Sequence, residues 1–260
     1  MHAILTYHSI DSSGSPISVS REAFAGHVAW LASGRVRVLP LHELARDTDT
    51  SSDALAITFD DAFANFATEA WPLLKAHALP VTLFVVTQKV GTTNDWGGQP
   101  AEGIPTLPLL GWDELDRLHA EGVEMGGHTR THPRLSTLGI GHTADEVVGC
   151  AHDLESRFGR IPRAFAYPYG DVTPVARRFA VDTFAWACTT EHRSLVAKDS
   201  RDLLPRLDMF YFNRPKALNR FGSAAFRARV VARRAARSAR AAAVSARRSA
   251  ALAARRSTGR

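Results

Sequence analysis

The chain has 260 residues, 45% of them hydrophobic, which suits one large domain or two small ones. Two cysteines are too few for a disulfide framework, and no apolar run approaches the roughly 18 residues of a membrane-spanning helix. The formal net charge is +6, yet residues 223–260 hold eleven Arg and no acidic residue, so residues 1–222 carry 21 basic against 26 acidic side chains, a net charge of −5.

Short β-rich runs alternate with amphipathic segments before residue 223. The predicted strands are Ala3 to His8, Ala54 to Phe59, Val81 to Val86, Val123 to Gly126, Ala164 to Tyr167, Phe184 to Thr189 and Leu203 to Asp208. The predicted helices are Phe63 to His77, Trp112 to Glu121, Ala144 to Phe158 and Pro174 to Val181. The pairs Asp113-Glu114 and Asp145-Glu146 are expected in first helical turns, where the helix dipole favours acidic residues. The alternation predicts an α/β fold with a parallel sheet or barrel over residues 1–222.

Polar residues fall repeatedly at the carboxyl ends of these strands. His8 ends the first strand, Asp60 and Asp61 follow the second, His128 and His132 follow the fourth, and Tyr167-Pro168-Tyr169-Gly170 ends the fifth. Active sites of α/β sheets and barrels collect at this edge, so the coincidence predicts an active site there.

The residue types at this edge suit a divalent metal. One carboxylate and two imidazoles can bind a cation and leave a position open for water. Because adjacent residues on an extended backbone point to opposite sides, Asp60 and Asp61 are expected to differ in role, one as a ligand and the other as a proton acceptor. Alone, an Asp pair is equally a helix cap, and the spacing of His128 and His132 has many chance matches. Together they favour metal-dependent hydrolysis.

The remaining histidines and the cysteines are given structural roles. His27, His77, His119 and His152 lie in helical patterns and are expected at the surface or at caps. Cys150 and Cys188 lack the spacing of a thiolate metal site or a redox pair, and we expect both in the core.

Three motifs resemble those of the NodB-type polysaccharide deacetylases, carbohydrate esterase family 4. They are Thr58-Phe59-Asp60-Asp61, His128-Thr129-Arg130-Thr131-His132 and Phe165-Ala166-Tyr167-Pro168-Tyr169-Gly170. The resemblance spans about Ala3 to Asp208 and implies a distorted (β/α) barrel. It implies Asp60 as general base, zinc or a similar divalent ion on Asp61, His128 and His132, and substrate contacts from Tyr167, Pro168 and Tyr169.

The chain departs from the family pattern at several positions. Ala62 stands where the family usually has glycine, which should restrict the local backbone. Ala166 stands where many members carry an arginine that orients the base, and Arg163, three residues upstream, is a doubtful substitute. The last strand has no histidine where relatives place the general acid. His8 is our candidate for that acid, the alternative being a structural or substrate-contacting role.

These features predict a metal-dependent hydrolase that removes N-acetyl groups from an amino sugar of a polysaccharide or its precursor. Two alternatives stay open: a deformylase or other amide hydrolase of similar fold, and a catalytically idle carbohydrate-binding relative. The segment from Gly91 to Leu110 is rich in glycine and proline and contains Trp96, which indicates a lid or binding loop that could contact carbohydrate.

The Ala/Arg-rich tail, residues 223–260, has high helix propensity but few bulky apolar residues. A solvated helix or a disordered extension is expected, and peripheral binding of the arginines to anionic lipid is the alternative. No nucleic acid is expected as a partner, because no aromatic residues are interleaved with the charge. The N-terminus shows no signal-peptide pattern, so the expected location is cytoplasmic, with the inner membrane surface as the site of any lipid contact.

Overall fold

The computed structural model describes residues 1–49, 51–97 and 103–257, with side chains through residue 240. The chain divides into two units, Met1–Asn219 and Arg220–Arg260. The boundary drawn from the sequence, after residue 222, lies three residues beyond the division between these units. All strands of the described residues belong to the first unit.

The first unit is built around parallel strands. They are β1 His2–Tyr7, β2 Ser9–Ile10, β3 Ser18–Val19, β4 Arg37–Val38, β5 Ala54–Phe59, β6 Val81–Val85, β7 Glu124–Gly127, β8 Ala164–Ala166, β9 Trp186–Cys188 and β10 Leu207–Asp208. Within the described residues, eight of them form one sheet in the order β10-β1-β5-β6-β7-β8-β9, with β4 paired to the start of β5. β2 and β3 form a separate small pair.

The segment around β10 brings the two edges of this sheet together. Leu204 forms a parallel bridge with Cys188 of β9, and the Thr189 N–H donates to the Leu204 carbonyl at 2.8 Å. Three residues later, Leu207 pairs with Leu5 of β1. One stretch of chain therefore contacts both edges, which confirms the predicted distorted (β/α) barrel.

Helices cover the outside of the sheet. They are α1 Arg21–Leu31, α2 Leu41–Leu44, α3 Trp71–Ala76, α4 Trp112–Ala120, α5 Ile140–Phe158 and α6 Pro174–Thr183, and the second unit contains α7 Ala224–Ser257. A π-helical segment, Phe66–Ala70, precedes α3, and 3-10 turns at Thr87–Lys89, Leu135–Thr137, Pro168–Gly170 and Met209–Phe212 lie in the connections.

Two central strands, β5 and β6, are buried on both faces, which explains why they are largely apolar runs rather than alternating ones. Every residue of β5 and β6 is buried. In β8, Ala164 and Ala166 pack in one hydrophobic cluster with Phe84, whereas Phe165 packs in a second cluster with residues of α5 and α6. This alternation is the period of two that a pleated strand imposes.

Several predicted elements differ in detail from the structure. The predicted helix from Phe63 begins instead at Phe66 as π-helix. α5 begins at Ile140, so Asp145 and Glu146 lie in its second turn, and their predicted place in the first turn is wrong. Asp113 and Glu114 do occupy the first turn of α4, and Glu114 Oε2 accepts from the Gly111 N–H at 3.0 Å.

The second unit is dominated by α7, the helical form of the predicted tail. Phe221 and Phe226 pack together at its start, with ring centroids 5.3 Å apart. Arg227, Arg229 and Arg240 are exposed along it. Within the described part of the chain, no helix combines the length and hydropathy required to span a bilayer.

Candidate metal-binding and catalytic site

Strand register places the predicted site residues at one edge of the barrel. Tyr7 pairs with Phe59 at the ends of β1 and β5, so His8 and Asp60 leave the sheet side by side. β7 ends at Gly127, directly before His128. Since the strands are parallel, these carboxyl ends face the same side, as the sequence analysis predicted.

The backbone at this edge is unusually rich in left-handed conformations. Of the described non-glycine residues with positive φ, all but Ala78 lie in the site motifs or directly after one: Asp61 (71°), Ala62 (55°), Thr129 (66°), His132 (62°) and Tyr169 (59°). Each such residue costs about 1–2 kcal/mol relative to the right-handed form. At Asp61 the turn has a clear use, because it breaks the extended alternation and lets both aspartates face the site.

Asp61, His128 and His132 converge as predicted. Asp61 Oδ1 lies 3.4 Å from His128 Nε2 and 3.3 Å from His132 Nε2. One ligand atom from each of the three buried residues lies within 4.8 Å of the others. Asp61 Oδ1 is buried and accepts no hydrogen bond from the described residues, which would be costly for a carboxylate unless a cation compensates it. The donor set therefore fits a divalent metal.

The imidazoles are prepared to act as ligands. His128 Nδ1 lies 2.7 Å from the Ala166 carbonyl oxygen, which can only accept, so in the neutral ring Nδ1 carries the proton and Nε2 offers its lone pair to a cation on the side of Asp61. Burial lowers the pKa of His132 to about 3, in spite of the neighbouring Asp61, so this ring is neutral near pH 7. Burial acts in the same direction on His128, but Asp61 and Asp60 outweigh it and raise the pKa of that ring.

Asp60 is held by a residue that the sequence analysis did not identify. Arg206 donates from Nη1 to Asp60 Oδ1 at 2.6 Å and from Nη2 to Oδ2 at 2.7 Å. Its Nε donates to the Thr189 carbonyl at 3.0 Å, and the whole side chain is buried. Burial opposes ionisation of Asp60 and is the largest single effect, but the charge and hydrogen bonds of Arg206 together with the charge of His128 outweigh it, and the pKa of Asp60 is lowered.

Arg206 thus makes the contact with Asp60 that the family resemblance led us to expect from an arginine at position 166, and it comes from another strand segment. Arg163 does not contribute: it lines a surface cavity with Pro80 and Val81, at the amino ends of the strands. One feature of the sequence could have indicated the role of Arg206: it is a single charged residue inside the apolar run Leu203-Leu204-Pro205-Arg206-Leu207. A cation that interrupts a buried strand requires a buried anion.

His8 lies at the mouth of the site, as its position after β1 predicted. Its Nε2 is 3.8 Å from Asp60 Oδ2, and its side chain is 22% exposed. It is therefore close enough to the base for proton exchange through a short rearrangement, and it is open to solvent. Its role as general acid stays a prediction.

The residues of the third motif, Phe165 to Gly170, lie partly in the core and partly at the surface. Tyr167 is fully buried, with its ring 5.1 Å from Phe165 in the cluster that packs against α5 and α6. This contradicts the predicted substrate contact, because the side chain faces the helices. Pro168 is also buried and starts the turn that presents Tyr169. Tyr169 is 43% exposed, and its ring lies 4.6 Å from the His132 ring.

Two further side chains, one aromatic and one cationic, lie beside His132 and Tyr169. The Trp96 ring lies 4.3 Å from His132, on the segment predicted as a lid or binding loop. Arg134 Cζ lies 4.4 Å from the centroid of the Tyr169 ring. We call Trp96, Tyr169 and Arg134 the rim of the site. Residues 98–102 of the predicted lid lie outside the described residues.

Helix α5 fixes the loop that carries the two histidines. Glu146 accepts from the backbone N–H groups of Arg130 and Thr131, at 2.8 Å and 2.9 Å, and from the Thr131 hydroxyl. Arg130 also donates to both oxygens of Asp153, at 2.9 Å and 2.7 Å. These interactions restrain the loop between the two histidines, a role that the predicted place of Glu146 at a helix start did not indicate.

The predicted location of one histidine, His27, is wrong, and the predicted location of both cysteines is confirmed. His27 is fully buried rather than at the surface: its Nδ1 lies 3.1 Å from the Tyr7 hydroxyl and its Nε2 is 3.0 Å from the Arg214 carbonyl. Cys150 and Cys188 are buried as free thiols, as expected.

Two imidazoles and a carboxylate, with a second carboxylate beside them at the carboxyl edge of a parallel barrel, define a candidate metal centre of the kind used in hydrolysis. Residues 47–183 match the family model described as polysaccharide deacetylase. Because the match covers more than half of the chain, the protein belongs to the polysaccharide deacetylase family. Asp60, Asp61, both histidines and Tyr169 fall inside the matched region, whereas His8 and Arg206 fall outside it.

Individual relatives are distant. The chain is 25% identical to YxkH of Bacillus subtilis (strain 168) over 193 residues, covering 72% of this chain and 64% of that protein. It is 26% identical over 165 residues to a poly-beta-1,6-N-acetyl-D-glucosamine N-deacetylase of Staphylococcus epidermidis, covering 59% of this chain and 54% of the relative. The chain thus spans less than two thirds of the length of either relative.

Solved structures share the fold. The deacetylase PplD of Streptococcus pyogenes, solved with acetate, superposes with a TM-score of 0.71 at 20% identity, covering 84% of this chain and 96% of that one. IcaB from Ammonifex degensii gives a TM-score of 0.65 at 24% identity, covering 79% and 90%. At these identities the likeness establishes the barrel fold.

Proposed function

We propose that this protein is a divalent-metal-dependent N-deacetylase that acts on an N-acetylated amino sugar of a polysaccharide or its precursor. The single observation that carries the proposal is the convergence of Asp61, His128 and His132 beside an Asp60 that Arg206 keeps ionised. Hydrolysis by a metal-activated water requires ligands that hold the ion and a separate base that accepts the proton of the water.

Asp61 Oδ1 and the Nε2 atoms of His128 and His132 would hold the cation, and zinc suits this donor set. When bound, such an ion lowers the pKa of water toward about 7 and polarises a carbonyl oxygen. The protein supplies the remaining requirements. Asp60 is ionised and buried, so it can accept the proton of the attacking water. His8, within 3.8 Å of Asp60 and partly exposed, would donate a proton to the leaving amine.

The developing oxyanion requires a donor that is already in place. We assign this role to the backbone N–H of Tyr169, which lies in a strained turn next to His132. A donor of this kind is worth about 100- to 1000-fold in rate. The exposed ring of Tyr169 and the nearby Trp96 would contact the sugar, since aromatic rings bind the apolar faces of pyranoses.

The substrate suggested by the relatives is a polymer of N-acetylglucosamine. The Staphylococcus epidermidis relative is named for poly-beta-1,6-N-acetyl-D-glucosamine, which supports β-1,6-linked N-acetylglucosamine oligosaccharides as the first substrates to test. Acetate release would be measured with the zinc-loaded protein, with chelator, and with Asp60→Asn. The exposed Asp182→Asn variant is the matched control.

We expect acetate release that chelation abolishes, that Asp60→Asn reduces by at least about 100-fold, and that Asp182→Asn leaves intact. Formate release from N-formyl sugars, without acetate release from N-acetyl sugars, would replace the proposal with a deformylase. Zinc binding with no turnover of any amide would identify a catalytically idle relative.

We also propose that α7 binds anionic lipid, with the cytoplasmic face of the inner membrane as the location. Six arginines lie in residues 227–240 without any acidic residue, and each arginine near an anionic surface contributes about 1 kcal/mol. The full chain, a variant with these six arginines changed to Gln, and one with all six changed to Lys would be sedimented with phosphatidylcholine vesicles with and without phosphatidylserine.

Binding that requires phosphatidylserine, is lost in the Gln variant and is kept in the Lys variant would support the proposal. Equal sedimentation of the wild type and the Gln variant would refute it. Tight binding to DNA at the same salt concentration, without vesicle binding, would assign the tail to nucleic acid instead. Fractionation of cells that express the full chain would test the location.

A further inference from the structure

The rim of the site contains a cation whose charge the described residues do not neutralise. Arg134 is exposed, and no carboxylate of the described residues lies within 4 Å of its guanidinium. No described residue accepts a hydrogen bond from its side chain. Arg130, in the loop between the two histidines, and Arg206, beside Asp60, are in contrast paired with Asp153 and Asp60.

Arg134 is also held in a defined place. Its Cζ lies 4.4 Å from the Tyr169 ring centroid, and that ring lies 4.6 Å from His132. The position is stabilised electrostatically by the ring, since a cation over an aromatic face is attracted by it. Asp171, two residues after Tyr169, is engaged elsewhere, because its Oδ2 accepts from the N–H and the hydroxyl of Ser136 at 2.9 Å and 2.7 Å.

We propose that Arg134 forms a subsite for an oxyanion, either a carboxylate or a phosphate, on the sugar being deacetylated or on the adjoining one. The inference rests on the proposed deacetylase function and deepens it by naming a substrate class: an N-acetylated amino sugar with an anionic substituent. A guanidinium offers several in-plane N–H donors that match a carboxylate or phosphate, and it is always charged. Two short contacts separate it from a metal ligand, so the anion would lie about one sugar residue from the scissile amide.

The test uses three matched N-acetylglucosamine oligosaccharides: a neutral one, one with a single carboxylate and one with a single phosphate. The value of kcat/KM would be measured for the zinc-loaded wild type, Arg134→Gln and Arg134→Lys. Arg160→Gln serves as control, because Arg160 is exposed and lines a cavity at the opposite end of the strands. The two anionic substrates distinguish the two sources of the oxyanion.

We expect the wild type to prefer one or both anionic substrates by about tenfold, a typical effect of one charge-assisted contact. Arg134→Gln should remove the preference, lowering kcat/KM for the anionic substrates to about the value that the same variant shows for the neutral one. Arg134→Lys should keep part of the preference, and Arg160→Gln all of it. Added salt should weaken the preference.

A different pattern would overturn the inference. If Arg134→Gln lowers kcat/KM for neutral and anionic substrates alike, Arg134 only supports Tyr169. To separate this failure from failure of the deacetylase function, binding of the same saccharides to the Asp60→Asn protein would be measured by NMR titration. Preferential binding of the anionic saccharide that Arg134→Gln removes would support the subsite even without acetate release. Equal binding of all three saccharides would refute it.

Discussion

Arg206 donates to both carboxylate oxygens of Asp60, across 146 positions of sequence, and both side chains are buried. The pair joins the end of β5 to the segment that closes the barrel. Because the interaction uses both oxygens, it fixes the plane of the carboxylate as well as its charge. The orientation of the proposed base therefore depends on closure of the barrel.

Replacing Arg206 with Met should shift the pH dependence of catalysis. Asp60 acts only when ionised, and in the wild type its pKa lies below the ordinary value of an aspartate, so protonation of Asp60 should not limit activity in the mildly acidic range. Without the Arg206 charge, burial raises the pKa of Asp60, and the acidic limb of kcat/KM against pH should move to higher pH. We expect kcat to fall by about 10- to 100-fold near pH 7. A pH–rate profile measures both.

Arg206→Lys keeps the charge but loses the two-pronged contact, so it should fall between the wild type and Arg206→Met. Zinc titration should show that all three proteins still bind the metal. If the acidic limb stays in place in Arg206→Met, Arg206 has no part in keeping Asp60 ionised.

Zinc should stabilise the folded protein through Asp61. A ligand at 100 times its Kd stabilises by about 2.7 kcal/mol, which corresponds to several degrees in Tm for a domain of this size. Asp61→Ala should abolish this rise, whereas Asp182→Ala, on the exposed side of α6, should keep it. Differential scanning calorimetry with and without zinc provides the measurement. An equal rise in both variants would place the metal elsewhere.

Glu146→Gln should weaken metal binding without touching a ligand. Glu146 accepts hydrogen bonds from two backbone N–H groups and one hydroxyl in the His128–His132 loop, and an amide cannot replace all of them. We expect zinc affinity to fall by about tenfold, as for other residues that support metal ligands. Glu155→Gln, exposed on the same helix, should bind zinc like the wild type, as calorimetric titration can establish. A loss confined to overall stability would contradict a role in the loop.

Ala62→Gly should be tolerated. Ala62 has a φ of 55°, a conformation that glycine adopts without strain, but glycine also increases the entropy of the unfolded chain. The two effects oppose each other, so the free energy of unfolding in urea should change by less than about 1 kcal/mol, with activity retained. Ala62→Val should destabilise by about 2 kcal/mol or more, because a β-branched residue is strained at positive φ and the site is buried. Equal stability of both variants would show that this backbone relaxes.

Elements with strong local signals were predictable. The apolar run of β5 gave the observed bounds, Ala54–Phe59, because a strand buried on both faces must be apolar throughout. The convergence of Asp61, His128 and His132 was also predictable, since they lie in short motifs directly after strands. α1, in contrast, was not predicted, and its burial of His27 against Tyr7 depends on how it packs on the barrel.

The sequence by itself determined the alternation of strands and helices, the three residues that form the candidate metal site, and the edge of the sheet at which they would meet. The tertiary structure decided which cation holds Asp60, which acid fixes the histidine loop, and that Tyr167 faces the core while Tyr169 faces the site. The physical reason is the separation along the chain over which each feature is defined. Apolar periodicity and motifs at strand ends involve residues only a few positions apart. The partners of a buried charge are set by strand register, which brings Leu207 beside Leu5 and so carries Arg206 to Asp60.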